Sequence, residues 1–206
     1  MSEIQNIKNE FYCDSIKGIM DANNGYVTSK QITDLGIHRM YLKKLVEEKI
    51  IYKITNGIYL DSNKMEDSYY VLNIKFPNII YSHMTALYFY GLSIKAPFDH
   101  YDITIPRDYH NPSIKKHEIF YANKDLYELG LTEVETPMGN KVRCYDIERC
   151  ICDIIRSKNR MDIEHVKYSV RQYIKRKDKD LVKLSKYADV LGNKDEIMNF
   201  ISMMYE

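Results

Sequence analysis

"TSKQITDLGIHRMYLKKLVEEKIIYKITNGIYL", residues 28–60, strings four structural signals together in 33 residues. Thr28 or Ser29 is a good N-cap for a short helix running to Leu35, because a side-chain oxygen there satisfies a free backbone N–H. Gly36 supplies the corner and Ile37 an apolar plug beneath it. A second helix follows over about 38–49. Two β-rich runs, 50–54 and 58–60, then flank Asn56-Gly57, a pair that accepts positive φ and marks a hairpin. Upstream, Ile4, Ile7, Phe11, Ile16 and Ile19 recur at helical spacing, so 4–21 reads as an amphipathic first helix closed by "DANNGYV". Helix, helix, turn, helix, hairpin is the order of a winged helix-turn-helix.

On a helical wheel, Leu42, Leu45 and Val46 face the core, while Arg39, Met40, Lys43, Lys44 and Glu47 occupy the opposite arc with Tyr41 flanking. A groove-bound helix reaches base edges from its N-terminal half. His38, Arg39, Tyr41, Lys43 and Lys44 lie in that half, and the acidic Glu47-Glu48 pair lies at the far end. Arg39 suits a bidentate contact to guanine, and the two lysines suit phosphates. Thr28, Ser29 and Lys30 at the entry to the preceding helix, with Lys53 and Asn56 in the hairpin, complete the expected DNA-binding set. The partner expected is double-stranded DNA.

The polar stretch 61–67 suggests a boundary, with a DNA-binding domain over 1–62 and a second domain over 63–206. There, helices are expected near 67–76 and in "SHMTALYFYGL", where Ser82 reads as the N-cap. Strands are expected at 79–81, "YDITIP", "HEIFYA", 131–136 and 141–145. Helices follow at 146–157, 162–177, 180–191 and 194–205. The fold class is therefore α+β: a winged helix-turn-helix, then a mixed α+β domain ending in a run of helices. In the first of the late helices, Ile147, Ile151, Ile154 and Ile155 form an apolar stripe. Glu148 and Arg149 fall outside it, and Arg149 with Asp153 reads as a surface i,i+4 ion pair.

The 206 residues carry a net charge of only +1, which does not by itself announce a nucleic-acid partner. Local distribution is more informative. Between Arg156 and Lys186 there are eleven Lys/Arg against four Asp/Glu, an excess of 11 − 4 = +7. Arg171, Lys175 and Lys179 recur four residues apart, with Arg176, Lys177 and Lys183 nearby, suggesting flanking phosphate contacts or self-association on DNA. Nineteen Tyr with no Trp accompany many Lys, Ile and Asn, a bias that an AT-rich genome explains.

Enzymatic signatures are missing. The histidines show no metal-ligand spacing, no glycine-rich phosphate loop is present, and the only E-x-K element, Glu47–Lys49, sits in the DNA-reading helix. No enzyme activity, metal or cofactor is expected. Four cysteines without a C-x-x-C pair, no leader and no long apolar span point to a reduced cytoplasmic compartment and no membrane.

"YSHMTALYFYGLS" (81–93), "YDITIPRDYH" (101–110), "VRCYDIERCICDIIR" (142–156) and the tail from Asp162 onward resemble the AbiEi family, antitoxins of type IV abortive-infection toxin–antitoxin systems. The sequence departs from that pattern at Cys150-Ile151, where relatives often carry Thr. The resemblance implies a repressor of its own operon that binds inverted repeats in the promoter. It also implies a nucleotidyltransferase-like toxin that is counteracted without a stable complex. A plain winged-helix regulator, whose second domain senses an effector or dimerises, is the alternative.

Overall fold

The computed structural model describes residues 3–205, with side chains from residue 10 onward, so Ile4 and Ile7 lie outside the described side chains. The chain divides into two compact units, 1–75 and 76–206.

The first unit opens with α1 (Glu3–Ala22), then β1 (Tyr26–Thr28), α2 (Ser29–Asp34), α3 (Met40–Glu47), β2 (Ile51–Thr55), β3 (Ile58–Asp61) and α4 (Ser68–Lys75). This is the expected winged-helix order with one strand added: β1 pairs antiparallel with β3, giving a sheet ordered β1-β3-β2. Ile16, Ile32, Ile37, Leu42, Leu45 and Ile51 form its core. Phe11 departs from the expected apolar stripe: it is 66% exposed, and Tyr12 packs inward instead, against Tyr41 with ring centroids 4.9 Å apart. Compactness divides after Lys75, beyond the polar 61–67 stretch, because α4 packs Val71, Tyr70 and Ile74 onto Tyr26, Ile58 and Leu60. The Asp67 N–H donates to the Tyr26 hydroxyl at 2.7 Å and secures that junction, and burial pushes the Tyr26 phenol up to about 12.

The second unit contains β4 (Ile80–Tyr81), α5 (His83–Phe89), β5 (Asp102–Pro106), β6 (Glu118–Ala122), α6 (Lys124–Tyr127), β7 (Leu131–Glu135) and β8 (Lys141–Tyr145). Four helices close it: α7 (Ile147–Arg156), α8 (Ile163–Lys175), α9 (Leu181–Val190) and α10 (Lys194–Met203). The sheet order is β6-β5-β4-β8-β7, mixed parallel and antiparallel. The fold is therefore α+β, as the residue pattern predicts.

Helix α7 is the hub. It packs against α5, α8, α9 and α10, and every residue from Glu148 to Ile155 is buried. The Arg149–Asp153 pair is accordingly not a surface ion pair: its side chains are 3% and 6% exposed, joined at 2.9 Å. Glu148 is buried too, accepting from the Tyr173 hydroxyl at 3.3 Å and the Asp180 N–H at 3.2 Å, with Lys183 Nζ 3.3 Å away. These partners come from α8 and α9, so charges that a single-faced wheel leaves in solvent are enclosed by later helices. Cys144, Cys150 and Cys152 lie in this core, and burial raises all three thiols.

Candidate nucleic-acid interface

The N-terminus of α2 is built by a capping box. The Thr28 hydroxyl accepts the Gln31 N–H at 3.1 Å, and Gln31 Oε1 accepts the Thr28 N–H at 2.8 Å. Gly36 sits at φ +71° and turns the chain, allowing the Ile37 N–H to reach the Ile32 carbonyl at 3.0 Å. A β-carbon there meets no neighbour, so its requirement is purely conformational. Helix α3 then starts two residues later than the 38–49 reading, at Met40, because His38 and Arg39 form its entry. His38 Nδ1 accepts the Met40 N–H at 3.1 Å, taking the place of a capping hydroxyl.

Arg39 stands at the N-cap and is exposed. Its Nε donates to Thr33 Oγ1 at 3.1 Å, bracing the start of α3 against α2. Both terminal guanidinium nitrogens are without a partner among the described residues. Lys43 is exposed and Lys44 half-exposed; they lie 3.7 Å from Glu47 and 3.8 Å from Glu48, respectively. Pairs of this kind, open to solvent on both sides, contribute about 0–1 kcal/mol, so phosphate competes with them easily. Tyr41 is the exception in the expected set. It is 6% exposed and belongs to the core, one turn before Leu45 on the same helical face, where Tyr12 covers it. It supports α3 and does not read bases.

The wing is tied to this surface directly. The Ser29 N–H donates to the Gly57 carbonyl at 2.8 Å, bringing the hairpin turn to the start of α2. Gly57 alone takes positive φ, +81°; Asn56 does not, and the register shifts between Lys53 and Thr55 as in a bulged hairpin. Lys30, Lys53 and Asn56 are exposed, whereas Thr28 and Ser29 are half-buried in capping and turn roles. Thr28, Ser29, Lys30 and Asn56 are thus gathered around one turn, while His38, Arg39, Lys43 and Lys44 line one helix.

Residues 21–60 match the family of AbiEi antitoxin transcriptional regulators. The matched stretch runs from the end of α1 through β3 and therefore holds the whole helix-turn-helix and wing. The matched stretch also contains the exposed basic start of α3, with His38, Arg39 and Lys43. The body motifs lie outside the matched residues. The chain is also similar to the crystal structure of the RV2827C protein from Mycobacterium tuberculosis, at 10% identity and a TM-score of 0.49, with 93% of this chain and 81% of that one covered. No curated protein sequence matches. Among the described residues, no helix is long and apolar enough to cross a membrane.

In the body, the basic segment is less continuous than its spacing implies. Helix α8 ends at Lys175, so Lys179 does not share its face; Lys179 Nζ instead donates to the Arg176 carbonyl at 3.0 Å. Arg176 is held by Asp178 through two bonds of 2.8 and 2.6 Å, and Lys183 is committed to Asp146 and Glu148. Arg171, Lys175 and Lys177 remain exposed. Ser82 also differs from its expected role. It occupies the N-cap position of α5, but its side chain makes no cap bond, and Asp102 Oδ2 accepts the Met84 N–H at 2.9 Å instead.

Proposed function

We propose that the protein is an antitoxin of the type IV kind that represses its own operon, with α3 in the major groove of promoter DNA and the wing on the adjacent backbone. The observation that carries this reading is the exposed, unpartnered Arg39 fork at the start of α3, within the stretch that matches the regulator family. A single head reads one half-site. Inverted repeats about one helical turn apart therefore call for two copies, and the exposed Arg171, Lys175 and Lys177 supply flanking phosphate contacts or help neighbouring copies bind together. The toxin counteracted is a nucleotidyltransferase-like protein encoded alongside, and protection proceeds without a stable complex.

The test is a pair of in-cell readouts on the full chain: repression of a reporter placed behind the protein's own upstream DNA, and survival when the neighbouring open reading frame is induced. Arg39→Ala with Lys43→Ala abolishes repression and leaves survival intact, because both residues are exposed on the head. Loss of survival together with repression would show that protection runs through DNA binding, and unchanged repression would remove α3 from the reading role.

A further inference from the structure

The body contains a cleft whose residues serve no purpose in DNA reading. Its recess of about 280 Å³ is walled by β5, β6, α7 and the turn Lys158–Arg160, and Arg149, Arg156 and Arg160 converge on it. An adjoining recess of about 340 Å³ shares Arg149, Arg156, Tyr121 and Ala122 and adds Arg107.

The cleft is rich in donors and short of acceptors. Arg149 is fixed by Asp153 Oδ2 at 2.9 Å and by the Leu126 and Leu129 carbonyls at 2.8 and 2.9 Å, and its guanidinium lies 4.4 Å from the centre of the Tyr145 ring. Its Nη2 has no partner among the described residues, although the side chain is almost wholly buried. Arg156 donates from Nε to Asn193 Oδ1 at 3.2 Å and from Nη1 to Asp153 Oδ1 at 3.4 Å, which leaves its Nη2 without a partner. Arg160 lies over the Phe120 ring at 4.3 Å; Glu118 and the Ile119 carbonyl take only its Nη2. With Glu118 counted as the partner of Arg160, three guanidiniums face two carboxylates, a balance of 3 − 2 = +1, and both oxygens of Asp153 are already engaged.

A buried hydroxyl chain backs the cleft. Thr104 Oγ1 and Ser82 Oγ are 2.9 Å apart, Ser82 Oγ and His83 Nδ1 2.9 Å, and His83 Nε2 and Ser157 Oγ 3.2 Å. The His83 ring stacks on Phe120 with centroids 3.4 Å apart. His83 also holds φ +49°, a conformation uncommon outside glycine, though one that His, Asn and Asp adopt more readily than other residues. Burial, with Arg149, Arg160 and Arg156 nearby, keeps its imidazole well below the ordinary range, so it contributes hydrogen bonds and no charge. It thereby orients the Ser157 hydroxyl at the cleft wall.

We propose that this cleft binds a phosphate group, with Arg149, Arg156, Arg160 and Ser157 as its donors. Planar guanidinium forks match phosphate oxygens, and a phosphomonoester carries about −1.5 to −2 near pH 7, which answers the excess charge of the lining. The recess is small for an organic ligand but ample for the phosphate itself. The adjoining recess, with exposed Tyr121 at the rim and Arg107 beyond, holds the remainder of a small phosphorylated molecule. None of this depends on the head's reading of DNA.

The experiment is calorimetric titration of the full chain, in phosphate-free buffer at constant ionic strength, with inorganic phosphate and with adenosine 5′-monophosphate. Saturable binding of either probe is expected. Arg156→Gln and Arg160→Gln each weaken it by about tenfold, and a cooperative thermal melt in phosphate-free buffer checks that each variant is folded, Gln keeping a donor at both positions. Equal affinity for the two probes identifies free phosphate as the occupant. Tighter monophosphate binding, reduced by Arg107→Ala to the phosphate level, identifies an organic phosphate. Absence of saturable binding by both probes overturns the proposal, as does binding unaltered in the Arg156→Gln/Arg160→Gln double variant. Weakened DNA binding in that double variant, with no small-phosphate binding in the parent, also overturns it in favour of a DNA-backbone contact.

Discussion

Arg39→Ala is the most informative single change in the head. The side chain is exposed and makes one bond to the fold, from Nε to Thr33 Oγ1, so its loss removes one solvent-accessible hydrogen bond, about 0.5–1.5 kcal/mol at most. Unfolding should therefore change little. The two terminal nitrogens are available for a bidentate contact, and such a contact discriminates a base by about 1–3 kcal/mol, or about five- to 150-fold in affinity. Fluorescence anisotropy at one fixed salt concentration, on a promoter duplex and on a scrambled duplex of equal length, separates the two effects. The expected result is a loss of that size on the promoter duplex and a much smaller loss on the scrambled one. Arg39→Lys should keep most of the scrambled-duplex affinity while losing the promoter preference, because an ammonium keeps the charge without the fork. Equal losses on both duplexes would refute the reasoning and reduce Arg39 to a phosphate contact.

Two further outcomes follow from the body. Replacing Arg171, Lys175 and Lys177 together by Ala should weaken DNA binding and flatten its log–log salt dependence by about 0.9 for each phosphate contact removed, with promoter preference retained; an unchanged slope would leave these residues as a solvated face. Asp102 offers a pH prediction: burial pushes its carboxyl up to about 6 against the opposing Met84 N–H bond, so the folded state holds the proton to higher pH than the unfolded chain. Its contribution is full below about pH 4 and is lost as pH rises through about 6. Asp102→Asn keeps the acceptor for Met84 and should gain about 1–3 kcal/mol over the parent at pH 7.5, with the difference shrinking toward pH 4 in denaturant titrations; a variant less stable than the parent at pH 7.5 would contradict this.

The head was largely legible because its signals are local. Thr28 caps, Gly36 turns and Gly57 closes the hairpin through properties of single residues, and the α3 periodicity places Leu42 and Leu45 without outside help. What escaped depends on distant partners. Tyr26, Val27 and Thr28 show no alternation long enough to mark a strand; they become β1 only because β3 offers its edge. Tyr41 sits at the border of the wheel, and Tyr12, far earlier in the chain, decides which side it joins. Lys179 lost its expected face because a wheel assumes the helix continues, and α8 stops at Lys175.

Helix α7 shows the deeper limit. Glu148, Arg149 and Asp153 in one ten-residue helix read as solvent-facing, since burying a charge without a partner is costly. The structure meets that cost with partners that no local pattern announces: Tyr173 and Lys183 for Glu148, and the Leu126 and Leu129 carbonyls for Arg149. Packing alone would require every one of these buried groups to be satisfied within the fold. The Arg149 Nη2 has no acceptor among the described residues and faces the recesses instead, and the partly exposed Arg156 beside it also leaves its Nη2 free. Both line the cleft that His83 and Ser157 back, drawn from segments more than seventy residues apart. A helix built only to pack would have enclosed a residue with less to satisfy, so the unmet guanidinium donors are the physical reason to look for an anion in the body.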